Sequence, residues 1–401
     1  MVFERCTPCH RPDHPTPLPL LGYHDVRSRA GQLLVSMQRR TMPPWLPVPE
    51  GPELLNTKAL RPDQIAMFQQ WIEDGFPEGA LQPPPVPTFP SGWQLGEPDL
   101  VVRAPQPYTL KPGGADVVRT LVVPVPVSST RYVRAMELQP DNPRILRHAL
   151  VGVDRTSRAR ALDAGDREPG YPGMWFDHIG GPRDRLSVWV PGGAPWAESD
   201  GMAWRLEPGS DLVLQLHMRP TRATESIQPS LGLFFSSTPP VDDPILITLE
   251  SRAIDIPAGS RDRAVSDSYV LPADVHLLSV YPHAHHVAKE MKSTATLPDG
   301  TEQSLLRIKE WDPYWAEQYR YRRPLDLPRG TTLKVEYLYD NSNTNVRNPR
   351  YPPARTRWGR KTSDEMGVLW LQVLPRNRAD ADLLLEDARV RAQRAGGVGR
   401  Q

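Results

Sequence analysis

Short apolar runs interrupted by proline, glycine and aspartate dominate the sequence beyond residue 90, and they restrict that part of the chain to β structure. Residues 121–127 (LVVPVPV) and 212–217 (LVLQLH) are two such runs. The chain contains 47 prolines, well above the average of about 5 %, which together with the many valine and threonine alternations indicates β-rich domains joined by turns and extended linkers. Short strands at this density predict β sandwiches or jelly rolls, with little helix after residue 80.

The size and charge of the chain exclude several classes of protein. A length of 401 residues exceeds the size at which one core stops growing, about 250 to 300 residues, so two or three domains are expected. With 48 basic and 47 acidic residues, no net field attracts nucleic acid or an anionic membrane. No apolar run approaches the roughly 20 residues that span a bilayer. We therefore expect a soluble chain with no nucleic-acid partner and no membrane span.

Proline also marks a boundary between two units. Residues 81–93 begin with LQPPPVPTFP, a stiff, extended, polyproline-like linker. At the other end, residues 379–401 carry Asp, Glu or Arg every few residues and are rich in glycine near the end. This tail predicts a short charged helix followed by disorder.

The two cysteines of the chain lie close together near its start, in Cys6-Thr-Pro-Cys9-His10. This is the spacing that attaches a c-type haem, with thioethers from both cysteines and His10 as the proximal iron ligand. A thioredoxin-like motif and a zinc site are the alternatives. Zinc would need two further ligands, for which His14 and His24 are the candidates in this segment.

Two further features favour haem. Met42, in Met-Pro-Pro-Trp, is a candidate second axial ligand, since a thioether suits an electron carrier, although a core methionine is the simpler interpretation. Residues 61–72 have helical apolar spacing, with Pro62 at the start and Gly75 after the end. Residues 1–80 thus resemble a small cytochrome c domain in which the usual helix before the attachment cysteines is missing or cut short. Because such haem is attached outside the cytoplasm, we expect a periplasmic or secreted protein, although the sequence starts without an export signal.

A pair of histidines stands out in the second half of the chain. His283 and His285, in the stretch 279–291, are two residues apart in a predicted strand, so their side chains point to the same side. Two imidazoles on one face can share a metal such as copper, zinc or iron. A solvated turn is the alternative, since histidines fall this close by chance fairly often.

Other candidate ligands are scattered along the predicted strands. His148 lies in an apolar run, His217 ends the run that contains Gln215, and Met366 follows Ser363-Asp364-Glu365 at the entrance to another strand. Each alone is more simply a core residue. His286 should point away from His285 and serve as a surface or supporting group.

As a set, these residues resemble the copper type II, ascorbate-dependent monooxygenases, the family of the peptidylglycine α-hydroxylating and dopamine β-monooxygenases. The resemblance covers about residues 94–378 and implies two jelly-roll-like domains, 94–245 and 246–378, facing each other across a solvent-filled cleft. It implies that His283, His285 and Met366 hold an oxygen-activating copper. It also implies that His148 and His217 hold an electron-storing copper.

The resemblance further implies hydroxylation of a C–H bond of a small-molecule substrate with dioxygen. Electrons would come from ascorbate or a redox protein, or through the c-type haem. The copper chemistry is consistent with the ligands, because a thioether stabilises Cu(I) while imidazoles keep Cu(II) accessible.

The sequence departs from the family pattern at two sites. Arg147 stands where the electron-storing site has a further histidine, and arginine cannot bind a metal, so that site uses two histidines, recruits His178, or is empty. Tyr281, Val368 and Trp370 occupy the positions that bind the substrate carboxylate in the animal peptide-hydroxylating enzyme of this family. Their side chains imply an apolar, uncharged pocket. A second hypothesis is therefore a non-catalytic haem- or copper-binding electron-transfer protein on the same fold.

Overall fold

A computed structural model describes residues 1–12, 18–79, 92–173, 185–198, 201–240 and 244–397. His14 and His178 lie outside this part of the chain, and so does the predicted linker 81–93 except for its last two residues. The described residues are mainly β, arranged in antiparallel sheets, which confirms the predicted β class. No described helix is long and apolar enough to cross a membrane.

The described N-terminal residues form four helices before the first strand. They are α1 (Val2–Arg5), α2 (Tyr23–Arg27), α3 (Ala30–Gln38) and α4 (Pro62–Glu73). Helix α4 begins at the predicted proline and ends before Gly75, whose φ of +78° is a left-handed conformation that favours glycine. Ala30, Met37 and Phe68 form a small core between α3 and α4. The predicted closing helix is confirmed, whereas a cytochrome c domain as such is not established by these elements.

The described residues of the first β sandwich form twelve strands and one short helix. The strands are β1 (Leu100–Arg103), β2 (Tyr108–Leu110), β3 (Val117–Pro124), β4 (Arg131–Gln139), β5 (Leu146–Asp154), β6 (Tyr171–Pro172), β7 (Arg185–Trp189), β8 (Trp196–Ala197), β9 (Trp204–Leu206), β10 (Asp211–Met218), β11 (Glu225–Ile227) and β12 (Ser230–Phe235), with α5 at Arg158–Ala164. One sheet has the order β6-β3-β10-β5-β7, and the other has the order β1-β12-β4-β8 with β9 beside β4. Inward-facing aliphatic side chains of the two sheets share one core.

The second sandwich follows the same plan with ten strands. They are β13 (Ile245–Glu250), β14 (Asp255–Ile256), β15 (Arg263–Val270), β16 (Val275–Ala284), β17 (Ala288–Thr296), β18 (Glu302–Ile308), β19 (Tyr319–Leu327), β20 (Thr332–Tyr339), β21 (Thr356–Arg357) and β22 (Gly367–Pro375). Its two main sheets have the orders β13-β22-β16-β19 and β15-β20-β17-β18. Strand β16, which carries the candidate histidines, is therefore an interior strand with partners on both sides.

The segment after α3 docks onto the second sandwich rather than standing apart from it. Val48 N donates to Arg307 O (2.9 Å) and Leu55 N donates to Arg320 O (2.7 Å), so the segment lies against the outer edges of both β18 and β19. The Lys58 ammonium is 2.9 Å from the Glu317 carboxylate. These bonds satisfy sheet edges that would otherwise remain open to pairing with other chains.

The C-terminal helix α6 (Arg378–Gly397) is longer than the predicted short charged helix. Ala381 and Leu384 are buried in the core of the second sandwich. The Arg391 guanidinium pairs with the Asp267 carboxylate on β15. The start of the tail therefore packs on the sandwich, although its composition is charged.

Candidate metal centre

His283 and His285 come together at the end of β16. The ring centroids are 5.5 Å apart and the ring planes are nearly perpendicular, at 86°. Only 6 % of His283 and 3 % of His285 is exposed. The convergence predicted from their two-residue spacing is therefore present, but the pair lies in the interior and not in a solvated turn.

Met366 directly precedes β22, the strand that pairs with the strand end carrying His283. Strand β16 pairs with β22 in the register His283 with Val368 and Ala284 with Gly367. His285 and Met366 are the next residues beyond this last pair of the ladder. Met366 is completely buried. The predicted ligands therefore belong to two neighbouring strand ends, and the role of Met366 as a third ligand stays a prediction.

Gly367 allows two tyrosines to fix this strand end. The Tyr339 hydroxyl donates to Met366 O (2.9 Å) and the Tyr337 hydroxyl donates to Val368 O (2.6 Å). A Cβ on Gly367 would lie 2.3 Å from the Tyr339 hydroxyl oxygen, far inside van der Waals contact. Glycine is therefore required between the candidate ligand and the strand.

The imidazole of His285 is held in one tautomer. Its Nδ1 is 2.9 Å from the carbonyl oxygen of Asp364, which can only accept, so Nδ1 carries the proton. Nε2 is buried without a hydrogen-bond partner. Burial lowers the pKa of His285 to about 4. A neutral ring with a bare, buried Nε2 lone pair is the form in which histidine binds a metal.

His148 and His217 form a second pair in the first sandwich. They are direct partners on β5 and β10, with ring centroids 4.9 Å apart. His217 Nε2 is 3.1 Å from the carboxylate of Asp116, which leaves His217 Nδ1 buried without a hydrogen-bond partner. Burial also holds the pKa of His148 well below its usual range. This pair is also buried and held in place by its neighbours.

The two histidine pairs meet at the boundary between the sandwiches. The ring centroids of His148 and His283 are 6.4 Å apart, so the imidazoles run in the order His217, His148, His283, His285. All four rings are at most 7 % exposed. The expectation of two separate sites across a solvent-filled cleft is therefore wrong, because the facing surfaces are packed together.

Arg147 lies beside the histidines but points to an aromatic ring. Its guanidinium carbon is 4.5 Å from the centroid of the Tyr314 ring, a cation–π contact. The same tyrosine contacts His286 at 5.6 Å and His217 at 6.5 Å between ring centroids. Arg147 therefore joins the two sandwiches where a ligand was expected from the family pattern.

The region expected to form an open apolar pocket is filled. Tyr281 and Trp370 stack on each other with centroids 5.1 Å apart and planes at 14°. Both side chains are 4 % exposed and Val368 is fully buried. These residues pack beside His283, so the predicted pocket at this position is wrong.

The N-terminal cysteine motif adopts a compact turn. His10 N donates to Cys6 O (2.9 Å), and His10 Nδ1 is 2.9 Å from Leu18 O, so Nδ1 donates and Nε2 is the ring nitrogen left to bind a metal. Cys6 is buried, and Cys9 packs against Gly192 of the first sandwich. Burial raises the pKa of the Cys6 thiol to about 11.

Met42 follows α3 and is half-buried. Three residues later, Trp45 packs edge-on against Tyr319 of the second sandwich, with ring centroids 5.3 Å apart. The turn that carries the predicted axial ligand is therefore anchored on the sandwich that carries the histidines.

Three supporting residues had no role assigned from the sequence: Asp116, Tyr314 and Glu365. Asp116 and Tyr314 are distant in sequence from the histidines that they contact. Glu365 directly precedes Met366, and a carboxylate within a buried apolar stretch is a signal that could have identified it.

Within the described ranges, no group of three or more His, Cys, Asp and Glu side chains is arranged to hold a metal ion. Methionine is not one of these residue types, and Met366 is the predicted third ligand beside His283 and His285.

Comparison with known proteins gives a different picture from the family resemblance. No protein-family model and no curated protein matches the sequence. Among solved structures, PNGase F, a glycosylasparaginase from Flavobacterium meningosepticum, is 10% identical over 70% of this chain and 97% of its own, with a TM-score of 0.32. The major capsid protein P2 of bacteriophage PM2 is 7% identical over 65% of this chain and 97% of its own, with a TM-score of 0.27.

The assignment to the copper type II monooxygenases is therefore wrong. The packed histidines, the contact of Arg147 with Tyr314 and the stacked rings of Tyr281 and Trp370 all depart from the geometry that the resemblance implies. The similar structures named are described as an amidase and capsid proteins. Neither C–H hydroxylation nor classification as a copper- and haem-dependent oxidoreductase is supported. The TM-scores are equally too low to transfer the activity of any neighbour to this chain.

Proposed function

We propose that the chain is a metal-binding protein whose site lies where the two sandwiches meet. His283, His285 and Met366 would be the ligands, and a copper ion in the Cu(I) state is the best match. The observation that carries the proposal is the buried Nε2 of His285, which has no hydrogen-bond partner, on a ring whose centroid is 5.5 Å from that of His283.

The donor set favours copper over the alternatives. Thioether sulfur is a soft ligand that selects Cu(I), whereas zinc in structural sites takes four nitrogen, oxygen or thiolate ligands. Two neutral imidazoles and one thioether also bring no negative charge into a buried site, and a monovalent ion is the cheapest to bury there. When bound, copper would supply a one-electron redox centre with a soft coordination sphere.

The surrounding residues would hold the ligands in place before the ion binds. Asp364 O fixes the His285 tautomer, and Tyr339 holds the backbone of Met366. The tight packing around His283 excludes water. The site is preorganised, so binding costs little reordering of side chains.

His148 and His217 would take a supporting part in this proposal. The buried Nδ1 of His217, which has no hydrogen-bond partner, and the short distance between His148 and His283 place a second histidine pair beside the first. His148 and His217 would either bind a second ion or share one ion with His283 and His285 across the boundary.

Titration of the purified chain with Cu(I) against a chromophoric chelator tests the proposal. We expect tight binding of at least one Cu(I) per chain, with copper–sulfur scattering in the X-ray absorption spectrum from Met366. Zn(II) should bind much more weakly, since a thioether is a soft ligand that selects Cu(I). Failure of the chain to compete with the chelator for Cu(I) would refute the proposal.

We propose separately that Cys6, Cys9 and His10 carry a c-type haem, with Met42 as the second axial ligand. The supporting observation is the bond from His10 Nδ1 to Leu18 O (2.9 Å), because a ligating histidine usually donates its other ring nitrogen to a carbonyl. Such haem is attached outside the cytoplasm, so this proposal also places the protein in the periplasm or among secreted proteins.

Expression with and without a haem-c maturation system tests this second proposal. We expect one covalent haem per chain, resistant to acid–acetone extraction, in the matured protein. Cys6→Ser together with Cys9→Ser should remove it, and Met42→Ala should lower the haem reduction potential, since methionine ligation raises it. A matured chain that remains colourless would contradict haem attachment. An unchanged reduction potential in Met42→Ala would contradict the axial role of Met42.

A further inference from the structure

We infer that Glu365 is a positioning residue that sets the distance between His285 and Met366 and thereby the Cu(I) affinity of the site. This inference rests on the proposed metal-binding function. It concerns the backbone of the two ligands and assigns no contact between Glu365 and the ion.

The Glu365 carboxylate ties the two ligand-bearing segments together. One oxygen, Oε1, accepts from His285 N (2.5 Å) and from Met366 N (2.8 Å), while Oε2 accepts from Val287 N (2.9 Å). Glu365 is fully buried. A single oxygen atom is thus shared by the peptide N–H groups of two candidate ligands.

The position of Glu365 in the fold explains why a carboxylate is needed here. Strand β16 ends at Ala284 and β22 begins at Gly367, so the N–H groups of His285 and Met366 lie just beyond Ala284 and Gly367, the last pair of the ladder. Buried N–H groups without acceptors are costly. A side chain with two acceptor oxygens satisfies them and replaces the ladder at this point.

The peptide of His285 is also held on its other side. The indole of Trp311 donates to His285 O (3.1 Å), and Trp311 is fully buried. With its N–H held by Glu365 and its C=O by Trp311, the His285 backbone cannot move without breaking a buried hydrogen bond. Met366 shares that constraint through the common Oε1.

Conservative variants of Glu365 test the role of the shared oxygen. Glu365→Gln keeps one acceptor oxygen but puts an NH₂ group against an N–H donor. Glu365→Asp keeps both oxygens but shortens the side chain by one methylene. Residues that orient metal ligands typically change metal affinity by about 10- to 100-fold when replaced. We expect a loss of this size in Cu(I) affinity for Glu365→Asp and a smaller loss for Glu365→Gln, with copper–sulfur scattering weakened more than copper–nitrogen scattering.

Glu137 provides a matched control in the first sandwich. Its carboxylate is also buried and also accepts backbone N–H bonds, from Gln94 N (2.8 Å) and Leu95 N (3.1 Å). Glu137→Gln should lower thermal stability to a similar extent and leave Cu(I) affinity unchanged. This control separates loss of stability from loss of ligand geometry.

The outcomes distinguish this inference from the proposed function. If the wild-type chain fails to bind Cu(I), the metal-binding proposal itself fails. If the wild type binds Cu(I) and both Glu365 variants retain wild-type affinity and copper–sulfur scattering, the positioning role is wrong while the site stands. Equal loss of affinity in the Glu365 and Glu137 variants would also overturn it, since the effect would then be general destabilisation.

Discussion

Replacing both His283 and His285 with alanine should abolish tight Cu(I) binding. Two of the three proposed ligands would be lost, and Met366 alone cannot hold an ion in a buried site. Loss of a residue that merely orients a ligand costs up to about 100-fold in affinity, so loss of two ligands should exceed that factor. Competition with a chromophoric Cu(I) chelator measures the change.

His276 supplies the control for this experiment. It lies on the same strand, β16, but it is partly exposed and its Nδ1 is 2.5 Å from the carboxylate of Asp326. His276→Ala should leave Cu(I) affinity unchanged. Circular dichroism would confirm that the double variant remains folded. Retention of wild-type affinity by a folded double variant would show that copper binds elsewhere.

The local elements were predictable because they depend on periodicity and on proline and glycine. The apolar runs at residues 121–127 and 212–217 overlap the interior strands β3 and β10. Pro62 and Gly75 marked the ends of α4 correctly. The two-residue spacing of His283 and His285 was enough to predict that their rings converge.

Long-range pairing could not be predicted in the same way. Nothing local to His148 indicates that it lies opposite His217, since their register is set by partners some 70 positions apart along the chain. The stacking of Arg147 on Tyr314 and the docking of Val48 on β18 depend equally on contacts between distant segments. Register and docking arise from the whole core, and no single stretch encodes them.

The family assignment failed for a related reason. Histidine and methionine at matching positions in order along the chain are compatible with many sandwiches, because interior strands place alternate residues inward whatever the protein does. Arg147 was the residue at which the sequence pattern already disagreed. In the structure, Arg147 contacts Tyr314 of the second sandwich. The monooxygenase pattern instead requires a metal ligand that faces a cleft at this position.

Glu198→Ala should loosen the boundary between the two sandwiches and destabilise the chain. The buried carboxylate of Glu198, just after β8, accepts from the Gln372 side chain (2.8 Å) and the Trp204 indole (2.9 Å) and is 3.2 Å from the Arg320 guanidinium. Removing one partner of a buried ion pair typically costs 3–5 kcal/mol. We expect a loss of about 3 kcal/mol, at the lower end, because 26 % of the Arg320 side chain is exposed and can be hydrated.

Urea denaturation measures this loss, and Glu207→Ala is its control. Glu207 pairs with Arg155 and Arg205 near the surface, with 35 % of its side chain exposed, and such pairs contribute about 0 to 1 kcal/mol. If the Glu198 variant is no less stable than the Glu207 variant, the buried network does not hold the sandwiches together. Cu(I) affinity should change little in either variant, since all three proposed ligands belong to the second sandwich. A large loss of affinity in Glu198→Ala alone would instead show that His148 and His217 share the ion across the boundary.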